Sequence, residues 1–313
     1  MKLLTPNSSL LTPKLALAPL AGVTTLAVRE FFSEHGADLT HTEMISCAGL
    51  VRDNSKTFDM LRTSSRERDL IVQLFAPDEK ILLAGAMKVR EGCERFCGLG
   101  INMACPMPKI TKNNCGAALL KSPATASAMV KALKSEFDLP VWVKIRKLER
   151  DIDTLNFVET LAAAGADNVC IHGRTAAQRY EGLADKNIVR LAAENFPGLI
   201  SASGDVKTVE DIQNYFSFGC VCVMLARGAI ANPFMFEEFH GKFRGNDERV
   251  EILIKFATRA KELSGEHKAL VAMKRFAGGM LKFSQGSAEK RRLACMSTSL
   301  DEITKILRGN TSS

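Results

Sequence analysis

The segment "VWVKIR", residues 141–146, places two charged side chains in an apolar run with the length of one β-strand. Valine and tryptophan favour strands, and a strand covered on both faces of a parallel sheet is a nearly continuous apolar run. Lys144 must therefore reach a polar space at the strand end, because an unpaired buried charge is costly. The segment predicts a buried parallel strand that leads to a polar site.

Seven further segments have the same strand-like character. They are "LALAPLAG" (15–22), "LTHTEM" (39–44), "LIVQLF" (70–75), "GLGINMAC" (98–105), "DNVCIHG" (167–173), "LISASG" (199–204) and "CVCVMLARG" (220–228). Predicted helices between them span 25–35, 77–91, 122–137, 153–164 and 208–216, with Ser122 as an N-cap. Eight strands and crossover helices over about 235 residues predict a (β/α)8 TIM barrel. An open doubly wound sheet is the alternative, but the first strand lacks a G-x-G-x-x-G turn.

The strand pattern stops after Asn232, and three helices are predicted over 248–264, 266–283 and 287–308, broken at Gly265 and Gly286. Residues 241–313 hold 15 Lys and Arg against 8 Asp and Glu, whereas residues 1–240 are balanced at 27 of each. The net charge of +7 therefore lies in the last quarter of the chain. We predict an α/β catalytic barrel over 1–240 and a small C-terminal helical bundle domain over 241–313 that meets a polyanion.

Composition limits where the protein works. No apolar run approaches the roughly 18 residues of a membrane-spanning helix, and prolines break the first 14 residues, so we expect neither a signal peptide nor membrane association. Nine cysteines without a secretion signal are typical of reduced thiols, so a cytoplasmic protein is expected. No obligate protein partner and no bound metal are predicted.

The predicted strand ends carry the chemistry, because barrel enzymes build their sites there. "SASGD" (201–205) and "ARGA" (226–229) end the last two strands, where glycines and backbone N–H groups commonly hold a phosphate. Gln73 and Asn102 offer neutral amides for a heterocycle, and Lys144 offers a positive charge for an anionic ring. Together these features favour a flavin mononucleotide (FMN) site.

In these and neighbouring segments the chain resembles the tRNA-dihydrouridine synthases, FMN-dependent enzymes that reduce the C5=C6 bond of a uridine in tRNA. The resemblance runs from about residue 15 to 238 and is weaker beyond. It rests on "APLAGVT" (18–24), "VQLF" (72–75), "INMACPMPKITKNNCGAALL" (101–120), "VWVKIR" (141–146), "IHGRTAAQRYEGLAD" (171–185), "SASGD" (201–205) and "MLARGAIANPFMF" (224–236). The cysteine block and the "HGRT" block are its most specific parts.

The resemblance implies a role for each matched position. Cys105 would protonate C5 of the uracil while flavin N5 gives a hydride to C6, with NADPH or NADH as reductant. One FMN would be held by Pro19, Leu20, Ala21, Gln73, Asn102, Lys144, His172, Ser203, Gly204, Asp205, Ala226 and Arg227. Separately from the resemblance, the basic residues near the cysteine block, at a strand end and in the basic C-terminal segment are predicted to contact the tRNA: Lys109, Lys112, Arg174, Lys274, Arg275, Lys290, Arg291 and Arg292.

The chain departs from the family pattern at five positions. Gly100 stands where the family usually has an acidic residue, and Ala104 replaces a usual glycine. Ser203 replaces a common asparagine, Ala226 a common glycine, and Lys186 a frequent tryptophan. The thiol, the lysine and the histidine are all kept, so we expect the activity to be kept. The uridine that is modified, the choice between NADPH and NADH and the oligomeric state stay open.

Three other classes of protein share parts of this sequence pattern. A dihydroorotate dehydrogenase-like FMN barrel acting on a free pyrimidine would have no use for the basic C-terminal helices. A non-catalytic RNA-binding module is disfavoured because Cys105 and Lys144 are both present. An iron–sulfur protein would use Cys93, Cys97, Cys105 and Cys115, but their spacing matches no familiar cluster pattern.

Overall fold

A computed structural model describes residues 14–281 and 287–309. Its strands are β1 (Lys14–Leu17), β2 (Leu39–His41), β3 (Ile45–Ser46), β4 (Asp69–Phe75), β5 (Gly98–Met103), β6 (Val141–Arg146), β7 (Asn168–His172), β8 (Ile200–Ser203) and β9 (Cys222–Leu225). All pairings are parallel, and the sheet closes because β1 pairs with β2 and β9 while β2 pairs with β4. Setting aside the two-residue β3, which pairs only with β4, eight strands form the predicted TIM barrel.

Helices cover the outside of the barrel and then continue beyond it. They are α1 (Leu26–Glu34), α2 (Cys47–Val51), α3 (Ser55–Asp59), α4 (Glu79–Gly92), α5 (Pro108–Thr111), α6 (Pro123–Glu136), α7 (Asp151–Ala163), α8 (Lys186–Asn195), α9 (Val209–Ser217), α10 (Arg227–Ala231), α11 (Met235–Phe239), α12 (Asn246–Ser264), α13 (Glu266–Met280), α14 (Ser287–Met296) and α15 (Leu300–Leu307), with a 3₁₀ helix at Gly116–Lys121. No helix among these described residues combines the length and hydropathy needed to cross a membrane.

Residues alternate between the barrel interior and the helical layer. The interior cluster consists of Ala16, Ala18, Leu39, Ile71, Trp142, Cys170, Cys222 and Met224. Their strand neighbours, such as Leu15, Val143 and Ile171, join the larger core under the helices. Gly100 belongs to this interior, where an added Cβ would lie 3.1 Å from Ile71 Cγ2. An acidic side chain at that position would need different packing around it.

The C-terminal helices pack directly on the barrel. Phe256 of α12 and Phe276 of α13 lie against Phe31 of α1, with ring centroids 5.2 and 5.3 Å apart. Helix α13 approaches α10 so closely that a Cβ on Gly279 would lie 1.9 Å from the carbonyl oxygen of Ala231. Helices follow the barrel, as the end of the strand pattern predicted, but they are four, α12–α15, and not three.

Three sequence expectations are corrected. The single helix over 287–308 is wrong, since α14 ends at Met296 and Ser299 caps a new helix by accepting from Glu302 N–H at 3.2 Å. Ser122 stands at the N-cap position of α6 but makes no capping hydrogen bond through its side chain. The strands β1, β5 and β9 are shorter than predicted, because their apolar runs continue into turns.

Three further expectations concern residues outside the part of the chain that the structure describes. The break at Gly286, the last residues of the helix predicted over 266–283 and the N-terminal residues 1–13 lie outside the described residues. The predicted domain boundary after residue 240 falls between α11 and α12.

Candidate active site

Asn102 organises the loop that carries Cys105. It stands next to last on β5, and its Oδ1 accepts hydrogen bonds from the backbone N–H groups of Ala104 and Cys105, at 3.2 and 3.0 Å. Its Nδ2 donates to Gln73 Oε1 on β4 at 2.8 Å. Asn102 and Gln73 are both buried. Asn102 therefore fixes the thiol loop, and Gln73 keeps its own amide N–H groups for another partner.

A second contact holds Cys105 from the far side. Its carbonyl oxygen accepts from Ala117 N–H at 2.9 Å. Gly116, at φ +60°, makes this approach possible, because a Cβ there would lie 2.6 Å from that oxygen and 3.2 Å from Cys105 Cβ. Cys105 is half-buried, so this thiol on a fixed backbone stays partly accessible.

Cys115 is close in sequence but has a different environment. Its side chain is buried, with 4% exposed, and its thiol donates to Asn113 O at 3.2 Å. Burial raises the pKa of Cys115 to about 11. Of the two thiols, Cys105 is the one a substrate can reach.

Lys144 and His172 form the polar centre of the strand ends. Lys144 Nζ lies 3.8 Å from Cys170 Sγ, and burial lowers the pKa of this lysine. Burial also lowers the pKa of His172, to about 2, and the positive charges of Lys144, Arg146 and Arg174 add to that shift. The imidazole is therefore neutral at physiological pH, and its Nε2 lies 3.4 Å from Arg174 Nη1. The site combines a lysine with an uncharged histidine.

The ends of β8 and β9 come together as a backbone cradle. Gly204 has φ +114°, and a Cβ there would lie 2.8 Å from His172 Cδ2. Gly228 packs on the preceding loop, where a Cβ would lie 2.1 Å from Val206 O. Tyr215 supports the cradle from below by donating its hydroxyl to Gly204 O at 2.9 Å. Both glycines are thus required by close approach, as a phosphate cradle needs.

Arg174, predicted to contact RNA, is placed differently from that prediction. It is only 2% exposed, and both Asp205 carboxylate oxygens accept from its Nη2 at 2.8 Å. Glu181 O and Gly182 O accept from it as well. We therefore correct its assignment to an internal support, because its donors are used within the chain.

The same contacts compensate the negative charge of the Asp205 carboxylate. Burial alone would raise its pKa, but hydrogen bonds from Ala184 N–H and Arg174 lower the pKa below its usual value. Arg227, largely exposed, approaches the same carboxylate at 3.9 Å. The Asp205 side chain is thus committed to Arg174, and only the backbone of this residue remains for an anionic ligand.

Two residues beyond the predicted set complete the site. Arg146, at the end of β6, is buried and donates to Ala104 O at 2.8 Å and to the carbonyl oxygens of Thr175 and Arg179. It ties the thiol loop to the loop after β7. Tyr180 on that loop is 54% exposed, and its ring lies 5.4 Å from both Arg146 and Arg227. The polar end of "VWVKIR" indicated Arg146, whereas nothing local to Tyr180 indicated its position.

The turn after β1 holds the first predicted flavin contacts. Pro19 and Leu20 are half-buried, and Ala21 is exposed. The turn closes through Val23 N–H and Thr24 N–H, which both donate to Leu20 O at 3.0 Å. These three residues therefore stand at the same end of the barrel as Lys144.

The predicted RNA contacts fall in two places. Lys109 and Lys112 are exposed on the loop that follows Cys105. The others lie on α13 and α14: Lys274, Lys290 and Arg291 are half-buried, while Arg275 and Arg292 are exposed. Arg292 pairs with Glu289 on its own helix at 2.6 Å. The two groups of cations belong to separate parts of the chain.

The described residues contain no group of three or more His, Cys, Asp or Glu side chains placed to hold a metal ion. Cys93, Cys97, Cys105 and Cys115 are all free thiols.

A closed (β/α)8 barrel with a held thiol, two amides, a lysine and a neutral histidine at one end defines a barrel enzyme. A family model described as dihydrouridine synthase (Dus) matches residues 16–306. The chain belongs to the dihydrouridine synthase family, and it is an oxidoreductase.

Three relatives show the extent of the similarity. A probable tRNA-dihydrouridine synthase of Aquifex aeolicus (strain VF5) is 31% identical over 299 residues, covering 92% of this chain and 93% of that protein. One of Treponema pallidum (strain Nichols) is 34% identical over 233 residues, 71% of this chain and 68% of the relative. A Homo sapiens protein named tRNA-dihydrouridine(20a/20b) synthase (NAD(P)+)-like is 30% identical over 223 residues, 70% and 69% of the two chains.

Proposed function

We propose that this protein reduces a uridine of tRNA to 5,6-dihydrouridine, with FMN as bound cofactor and NADPH or NADH as reductant. The observation that carries the proposal is Cys105, a half-buried residue whose backbone is held by Asn102 and Ala117, with Asn102 paired in register with Lys144 of β6. The names of the Aquifex, Treponema and human relatives support tRNA as substrate, and the human name supports a nicotinamide reductant.

The residues present fit an FMN. The close approaches at Gly204 and Gly228 leave backbone, not side chains, at the ends of β8 and β9, which suits a phosphate. Arg227 adds a positive charge, and Ser203 and Ala226 complete the two loops. Gln73 offers amide N–H groups and Lys144 a positive charge to the ring, and the turn at 19–21 backs it. When bound, the flavin supplies the hydride to the uracil.

Cys105 would hold the proton that goes to C5 of the uracil. A thiol can hold a proton and release it in the transition state as a general acid. Asn102 and Arg146 restrict the loop on which it stands, which fixes the direction of the thiol. Such positioning lets a single proton donor act on one carbon atom.

Lys144 and His172 would divide the polar work around the ring. The neutral histidine offers a hydrogen bond without charge, and the neighbouring lysine supplies the positive charge that stabilises an electron-rich ring. Protonation of His172 would put another positive charge beside Lys144, Arg146 and Arg174. The low pKa of His172 therefore keeps the site from becoming too positive.

The substrate base must leave its stack to reach this site, because the C5=C6 bond is inaccessible inside a folded loop. Tyr180 offers an exposed aromatic face beside Arg146, suited to an extruded pyrimidine. Lys109 and Lys112 are exposed near the thiol and suit the RNA backbone. The C-terminal helices would add further backbone contacts, consistent with a helical RNA-binding domain over 241–313.

Flavin content and substrate choice test this proposal together. We expect the purified protein to be yellow, to hold one FMN non-covalently, and to oxidise NADPH faster with unmodified tRNA than with free uracil or orotate. A colourless protein that takes up no FMN on titration would contradict the cofactor. Faster oxidation with orotate than with tRNA would favour the free-pyrimidine enzyme instead.

A further inference from the structure

Helix α13 touches the end of the barrel at one residue of the β1 turn. The Arg275 guanidinium donates to the carbonyl oxygen of Gly22. The backbone N–H of the same glycine donates to the carboxylate of Glu43, just after β2. The two peptide groups that flank the Gly22 Cα are therefore held from opposite sides, one by a cation and the other by an anion.

The Gly22 end of the turn depends on these contacts, because packing does not restrain it. Gly22 is exposed, has φ +67°, and would have no atom within 4 Å of an added Cβ. Its neighbour Ala21 is exposed as well. A glycine in open space has wide conformational freedom, so hydrogen bonds to its peptide groups decide where Gly22 lies.

Arg275 is held firmly from behind. The next residue, Phe276, is buried with its ring 5.3 Å from Phe31 and 5.0 Å from Phe256. One helical turn further on, Gly279 fits against Ala231 O of α10. Since the helix cannot shift without disturbing both contacts, the backbone that carries Arg275 has a fixed position relative to the barrel.

We propose that Arg275 and Glu43 are positioning residues that clamp the 19–22 turn, so that helix α13 helps to set the seat of the flavin. This rests on the proposed function, because that function assigns Pro19, Leu20 and Ala21 to the flavin. A guanidinium has five N–H donors, and Gly22 uses one of the donors of Arg275, whose side chain is exposed. An RNA phosphate bound by Arg275 would thus touch the flavin turn through one side chain.

The test measures the turn and the flavin separately in the full-length protein. Amide hydrogen exchange over residues 19–24 reports on the turn, and flavin fluorescence titration gives the FMN dissociation constant, both without RNA. The variants are Arg275→Ala, Arg275→Lys and Glu43→Gln. Arg308→Ala is the matched control, since it removes the same charge from the same helical region and Arg308 pairs with Glu251 there.

We expect Arg275→Ala to speed exchange of the turn and to raise the FMN dissociation constant, each by roughly 3- to 10-fold, the effect of one charge-assisted hydrogen bond. Arg275→Lys should restore most of both, and Glu43→Gln should speed exchange because only a neutral acceptor remains. Arg308→Ala should change neither. If Arg275→Ala does not fold, the lysine and Glu43→Gln variants carry the comparison.

The clamp is overturned if Arg275→Ala and Glu43→Gln both match the Arg308→Ala control in exchange and in FMN affinity. A loss of tRNA affinity alone would then make Arg275 an RNA contact only. A wild-type protein that binds no FMN would contradict the proposed cofactor, whereas the exchange measurement would still decide whether the turn is clamped.

Discussion

The end of the barrel and the C-terminal helices carry their charged groups in opposite ways. Arg146 and Arg174 at the barrel end are buried, and backbone carbonyls or Asp205 use their guanidinium donors. Arg292 on α14 is exposed, and it contacts Glu289 and Met296 of the same helix. The barrel therefore fixes its polar groups in advance, whereas the helices present surface charges that exchange partners easily.

This difference has consequences for energy. An exposed ion pair contributes little to stability and weakens in salt, so Arg292 would give up Glu289 for a phosphate at little cost. A buried arginine that loses its acceptors leaves an uncompensated charge, which costs several kcal/mol. Changes at the barrel end should therefore affect chemistry steeply, and changes on the helices should affect RNA affinity gradually.

The largest effect is expected at the thiol. Cys105→Ala should lower the rate of dihydrouridine formation by about 10²–10⁴-fold, the usual value of a positioned proton donor. FMN content and reduction by NADPH should stay at wild-type values, because the role proposed for Cys105 is only to hold the proton. Cys115→Ala is the control, and it should keep the rate because Cys115 is buried. A normal rate in Cys105→Ala would move the acid to another residue, with Cys115 the first to test.

A smaller but still steep effect is expected behind the thiol. Gly116→Ala would place a Cβ 2.6 Å from Cys105 O and should displace the loop, lowering turnover on the order of 10²-fold. Gly241→Ala has a similar φ, +77°, but open space around it, so it should cost stability without lowering the rate per folded molecule. Equal turnover in the two variants would show that the loop position does not control the reaction.

Acid should weaken the barrel through a buried histidine. His41 is 1% exposed, its Nδ1 lies 2.9 Å from Leu17 O, and burial lowers its pKa to about 4. The unfolded chain binds the proton near pH 6.5, so the free energy of unfolding falls as pH falls below that value, continuing to about pH 4.

Between pH 6.5 and 5 we expect His41 alone to lower the free energy of unfolding by on the order of 1–2 kcal/mol. Urea unfolding at the two pH values measures it. His41→Asn should show a smaller loss than wild type, whereas substitution of the exposed His240 to Asn should not. An identical pH dependence in His41→Asn and wild type would refute the assignment.

The smallest effects are expected on the helices. Arg291→Ala with Arg292→Ala should weaken tRNA binding a few-fold and reduce the salt dependence by roughly one unit of slope per lost phosphate contact. FMN content should be unchanged. Arg308→Ala serves as the charge control in the same titration. An unaltered slope in the double variant would place the RNA on the barrel face, with Lys109 and Lys112 as the next candidates.

The sequence predicted the barrel well because its signals are local. All eight barrel strands appear at the predicted apolar runs, and the helix predicted over 208–216 forms at Val209–Ser217. The sequence did not predict the break at Ser297–Ser299, because these three polar residues include no glycine or proline to mark the end of a helix. The two-residue β3 is too short to give a periodic signal.

The site was predicted in composition but not in its contacts. Family resemblance supplied Cys105 and Lys144, and the structure brings both to the same end of the barrel. The resemblance did not predict that the donors of Arg174 bind Asp205, because that pair joins residues 31 positions apart in the chain. Nor did it predict the contact of Arg275 with Gly22, across 253 positions. Such long-range hydrogen bonds depend on the closed barrel, which no single segment encodes.

The most direct test of the account is the identity of the product. The wild-type protein, loaded with FMN, is incubated with NADPH and with tRNA that contains no dihydrouridine. The tRNA is then digested to nucleosides, which are analysed by mass spectrometry. We expect a nucleoside that is heavier than uridine by two hydrogen atoms. It should form at a defined position of the tRNA and should be absent when NADPH is omitted. An RNA that keeps its mass while a free pyrimidine is reduced under the same conditions would contradict it.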